Sequence, residues 1–84
     1  MGRKNKNEEI PEGIFERIAL ATDPNTSAKV LEELARDKDV DVRYVVAKNP
    51  SASEEILVKL LKDRDWSVSE AAREKLILRK IRKE

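Results

Sequence analysis

Asp37, Asp39, Asp63 and Asp65 form two Asp-x-Asp pairs, with Asp41 just behind the first. Carboxylates at this spacing suggest two kinds of chemistry. A divalent cation needs several oxygens converging on one point. Acid–base catalysis needs a pair whose surroundings drive their pKa values apart. Neither pattern is complete. The central glycine and closing glutamate of a calcium loop are missing, and 17 acids are interleaved with 18 bases. These aspartates fit helix capping and pairing with arginine better. Ser27, Ser53, Ser67 and Ser69 have no base to activate them, because the chain contains no histidine. Cysteine is absent as well, which excludes disulfides and thiolate metal sites. Gly2 and Gly13 stand alone, so there is no phosphate-cradling loop. The expectation is a protein without catalytic residues, metal or cofactor.

Two other groups of residues point to binding. Lys75, Arg79, Lys80, Arg82 and Lys83 cluster near the C-terminus, and Arg3, Lys4 and Lys6 near the N-terminus. Phosphates are one ligand for such clusters; a solvated helix end, where cations suit the dipole, is the other reading. Charge is unevenly placed: +3 over residues 1–7 and +4 over 75–84 leave −6 for the remainder of a chain with net charge +1. An acidic body repels nucleic acid everywhere except at these ends. Leu76, Ile77, Leu78 and Ile81 share the C-terminal cluster. Three consecutive residues cover about 200° of a helix, so one buried stripe cannot hide them all. Some of Ile77, Leu78 and Ile81 should stay exposed as a contact to a partner or a second copy. Of the aromatics, Tyr44 lies off the nearest apolar stripe and is expected to be partly exposed. Trp66 aligns with a semi-buried position and is expected to fill core.

The elements that position these residues recur every 26 residues. Ala21-Thr22-Asp23-Pro24 aligns with Ala47-Lys48-Asn49-Pro50, and Ser27, Val30, Leu31 and Leu34 align with Ser53, Ile56, Leu57 and Leu60. Asp37, Asp39 and Val42 meet Asp63, Asp65 and Val68, while Arg17 meets Arg43. Each unit reads as two helices. Pro24 and Pro50 end one helix, and Ser27 and Ser53 are placed to cap the next. Val30, Leu31 and Leu34, then Ile56, Leu57, Leu60 and Leu61, make its buried stripe. Asp39 and Asp65 suit the caps of a second, shorter helix buried through Val42, Val45 and Val46. Valine is a poor helix former, which leaves that segment open to an α or a 3₁₀ reading. A first helix over about 11–21 carries Ile14, Ile18 and Leu20, and a last one over about 67–82 runs past the point where the next proline turn belongs.

Val42-Arg43-Tyr44-Val45-Val46-Ala47-Lys48-Asn49-Pro50, followed by Leu57, Leu60 and Asp63, resembles the variant leucine-rich repeats. The spacing from Asp37 to Val42-Arg43 is also similar to HEAT-like repeats. These resemblances imply a right-handed superhelix of paired helices and a scaffold role. Some variant leucine-rich proteins carry a cysteine-bound iron–sulfur module, for which this chain has no ligands. Arg43 is expected to reach Asp37 or Asp63, and Arg17 to reach Asp37, as a charge ladder between units. Ser69 replaces the arginine of the third unit.

The fold expected is all-α: a short right-handed α-solenoid of about two and a half 26-residue repeats and five helices. It should occupy 10–84, behind a disordered basic tail at 1–9. The composition, 42% charged and without glutamine, is thermophile-like. No apolar run approaches a membrane span, and the expected compartment is the cytoplasm. The function expected is a protein-interaction module, scaffold or adaptor, that binds an unidentified protein or itself through Tyr44, Ile77, Leu78 and Ile81. The alternative is a nucleic-acid-associated accessory protein using its basic ends.

Overall fold

The computed structural model describes residues 10–82. The tail expected to be disordered at 1–9, and Lys83 of the basic cluster, lie outside the described residues. Five helices form: α1 (Ile14–Thr22), α2 (Ala28–Leu34), α3 (Val40–Lys48), α4 (Glu54–Leu60) and α5 (Trp66–Arg82). There is no strand among the described residues.

The caps explain the boundaries. Ser27 and Ser53 accept from the backbone N–H of Val30 and Ile56 at 3.2 and 3.1 Å. Asp39 and Asp65 accept from the N–H of Asp41 and Ser67 at 3.0 and 2.9 Å. Each occupies one of the donors that a helix start leaves without an internal partner. Gly13 holds the same place before α1 and makes no side-chain cap. In α1 and α3 the C-terminal cap residues are Asp23 and Asn49, each in extended backbone and followed by proline.

The second helix of the unit is α-helical and longer than the first, nine residues against seven, where a shorter one was expected. Its valines explain this. Val42 and Val46 are fully buried, because α3 sits between α1 and α5 and packs on both. Burial on both sides outweighs the few tenths of a kcal/mol per residue by which valine disfavours helix. The tight turns occur instead where α2 and α4 end: Asp37 N–H bonds the Leu34 carbonyl at 3.1 Å and Asp63 N–H the Leu60 carbonyl at 3.0 Å, both three residues back.

The core repeats with the same offset. Leu31, Leu34, Leu57 and Leu60 are all buried, together with Val30, Ile56, Val42 and Val68. Ala21 and Ala47, at equivalent places in α1 and α3, are each wholly buried. So small a side chain permits close approach of the following helix. α1, α3 and α5 therefore form one row, while α2 touches α1 and α3, and α4 touches α3 and α5.

Candidate interaction surface

The ladder forms as expected, and its members are more deeply covered than a surface ion pair. Arg17 donates from Nε to Asp37 Oδ2 at 2.8 Å and from Nη2 to Oδ1 at 3.4 Å, and its Nη1 reaches the Glu12 carbonyl. One unit on, Arg43 donates from Nε to Asp63 Oδ2 at 2.8 Å and from Nη2 to Oδ1 at 3.2 Å, with Nη1 on the Asp37 carbonyl at 2.7 Å. Side-chain exposure is 10% and 8% in the first pair, and 9% and 7% in the second. Two parallel bonds to one carboxylate make a fork that fixes orientation as well as distance. Each aspartate also accepts the N–H two residues on, Asp39 and Asp65, at 2.9 Å. Burial opposes ionisation of Asp63, but the Arg43 guanidinium and the Asp65 N–H outweigh it and hold the carboxyl below its ordinary value. The same hydrogen bond raises Arg43 above its ordinary value against the opposing effect of burial. Asp37 and Asp63 thus have their oxygens committed to arginine and backbone, as the capping reading requires. At the third position the Ser69 hydroxyl donates to the Trp66 carbonyl at 3.1 Å, and no guanidinium stands there.

Asn49 carries a role that its turn signal hid. It is 2% exposed, and its Nδ2 donates to the carbonyls of Ala21 at 2.7 Å and Asp23 at 3.1 Å. These are the end carbonyls of α1, which lack partners inside their own helix. Asn49 Oδ1 accepts the Ser51 N–H at 2.7 Å, and the Ser51 hydroxyl donates to the Pro24 carbonyl. One side chain therefore ties the end of α1 to the end of α3. The signal available in the sequence was the asymmetry between Asp23 and Asn49, because only the amide can donate.

In α5 the continuation past the repeat changes the surface. Lys75 and Leu76 stand where Asn49 and Pro50 stand one unit earlier, and the helix runs on. Leu76 packs against the core. Ile77, Leu78 and Ile81 do not: they are 44%, 53% and 62% exposed. Tyr44 is exposed at the margin, with Lys48 Nζ 5.9 Å from its ring centroid. Trp66 contradicts the expectation of core filling and is 74% exposed. Its equivalents Ile14 and Val40 are partly buried against the core, each beside a following helix of the row. Among the described residues no helix follows α5 to cover Trp66. Phe15 is a further exposed aromatic, at 82%.

The cations divide into two kinds. Lys75 and Arg79 are half-buried, and Arg79 Nη2 donates to the Pro50 carbonyl at 3.1 Å. Lys80 and Arg82 are exposed. Pro50, Lys75, Leu78, Arg79 and Arg82 line a shallow hollow of about 160 Å³. Burial, together with Arg79, Lys48 and Arg82, pulls the Lys75 ammonium below its ordinary value. Among the described residues no group of three or more His, Cys, Asp or Glu is placed to hold a metal ion. No helix among them is long and apolar enough to cross a membrane.

A row of like helices, keyed by the same arginine–aspartate fork at the same offset, defines a helical repeat protein. The Leucine Rich Repeat Variant domain matches residues 17–75, and the chain belongs to that family. No curated protein and no solved structure matches it. The match stops at Lys75, so the exposed apolar residues of 76–82 lie outside the stretch it covers.

Proposed function

We propose that this chain is a non-enzymatic protein-interaction module of the cytoplasm, a short right-handed, HEAT-like α-solenoid that presents α5 to a protein partner. The observation that carries the reading is the exposure of Ile77, Leu78 and Ile81 on one helix, with Lys80 and Arg82 beside them. An apolar spot with a charged margin has the anatomy of an interface, and burying branched aliphatic side chains contributes roughly 1.5–3 kcal/mol each. A non-catalytic role is supported by Asp37 and Asp63, held in arginine forks, and by Asp39 and Asp65, each of which caps a helix through one oxygen. The test is site-resolved photo-crosslinking in the native cell. A crosslinker at position 78 or 81 should yield one discrete adduct that is missing when it is placed at exposed Asn25. Equal labelling from all three positions would remove the reading.

A second reading is favoured by the cluster of Lys48, Lys75, Arg79 and Arg82, which would accept phosphates of a nucleic acid. Retention on RNA should then fall steeply with salt and weaken in an Arg82→Glu variant. Retention that ignores both changes would dismiss it.

A further inference from the structure

The face of α5 that no helix among the described residues covers carries Trp66, Glu70, Arg73 and Ile77, spaced by four, three and four residues. At about 100° per residue these lie within a 60° arc, one narrow stripe. All four are open to solvent to some degree: Trp66 and Ile77 are exposed, and the side chains of Arg73 and Glu70 are 60% and 32% exposed. The stripe is not suited to another unit of the same repeat. Arg73 stands where Ala21 and Ala47 are wholly buried by the next helix, and a unit stacked in that manner would bury its charge. The opposite end of the row is blunted too: exposed Glu16 replaces the fully buried Val42 and Val68.

Read by chemical type, the stripe is apolar, acidic, basic, apolar, and it is symmetric about a point between residues 71 and 72. Laid antiparallel on itself, it places Trp66 opposite Ile77 of the second copy and Glu70 opposite Arg73 of the second copy. The same two contacts recur on the other side of the axis. Such a patch is self-complementary in charge and in the order of its apolar residues, as a two-fold interface requires. Glu70 and Arg73 already attract each other within the chain, at 3.2 Å; across a two-fold axis they exchange partners, and the apolar pairs outside shield them from water. We propose that the chain forms a closed two-fold dimer through antiparallel pairing of α5 on this stripe. The proposal rests on the reading of α5 as an interaction surface and names its occupant as a second copy of the chain. Leu78 and the basic hollow lie off the stripe and stay available.

Sedimentation equilibrium from micromolar to millimolar concentration tests the pairing. The wild type should approach twice the 9.6 kDa mass of one chain and stop there. Glu70→Arg alone sets four cations against one another across the axis and should return the protein to monomer; Arg73→Glu alone should do the same with acids. The double variant Glu70→Arg, Arg73→Glu restores complementarity and should restore the dimer. Helical circular dichroism, unchanged in all three variants, shows that the fold survives. A wild type that stays monomeric at millimolar concentration overturns the pairing while leaving the crosslinking test of the proposed function intact. A mass that climbs past the dimer also overturns it, because head-to-tail stacking does not close. So do single variants that dimerise as the wild type does, or a double variant that fails to regain the dimer.

Discussion

Removing the carboxylate from Asp63 leaves the Arg43 guanidinium covered and without its counter-charge, and Asp63→Ala should destabilise the fold by about 3 kcal/mol. The mutual hydrogen bonds hold Asp63 below its ordinary value. Its contribution is therefore complete above the ordinary carboxylate range and is lost as pH falls through the lowered folded value. Denaturation midpoints compared from neutral to about pH 3 should show wild type and Asp63→Asn converging in acid; a gap that holds constant with pH would contradict the assignment. Asn49→Ala should cost about 1–3 kcal/mol by leaving two α1 carbonyls unbonded. Asn49→Asp should cost more, since a carboxylate offers no donor and sets charge against two carbonyl oxygens; calorimetry of the two variants gives the order. The ladder was legible from the resemblance to HEAT-like repeats together with opposite charges recurring at one offset, but the choice of Asp63 over Asp37 by the Arg43 fork was open until the structure placed them. Asn49 was not, because a turn signal and a buried donor look alike until its acceptors, 26 and 28 residues away, are known.

The helices α2 and α4 are only seven residues long, too short to persist alone, so they rely on capping and on packing against the row. Ser53→Ala should lower stability by about 1 kcal/mol and Leu57→Ala by about 2–5 kcal/mol, from lost transfer energy plus the cavity left behind. A chemical denaturation series that places Ser53→Ala above Leu57→Ala in cost would mean the packing is misassigned. The caps and most of the leucine stripe were readable because each is a local pattern; Leu61, expected in that stripe, lies past the end of α4 and is 39% exposed. The length of α3 was not, since its four valines argue against a helix locally and only the neighbours α1 and α5 reverse the balance. Helix propensity amounts to tenths of a kcal/mol per residue, whereas burying two valines on both sides is worth several times that.

Across the whole molecule, sequence periodicity identifies a position but not whether the next unit arrives to cover it. Ile14, Val40 and Trp66 share one repeat position; Ile14 and Val40 are partly buried because a helix follows, and Trp66 is exposed because none follows among the described residues. Ile77, Leu78 and Ile81 were readable as a surplus of apolar residues that one stripe could not hide; helix geometry requires some of them to be exposed, and the structure exposes all three. That these residues are surface and not core is tested most directly by sedimentation velocity of an Ile77→Glu, Ile81→Glu double variant, which reports mass and compactness together. We expect a compact, folded monomer of 9.6 kDa that no longer associates. An expanded, unfolded chain would show that α5 buries these side chains in its own core and would contradict the account.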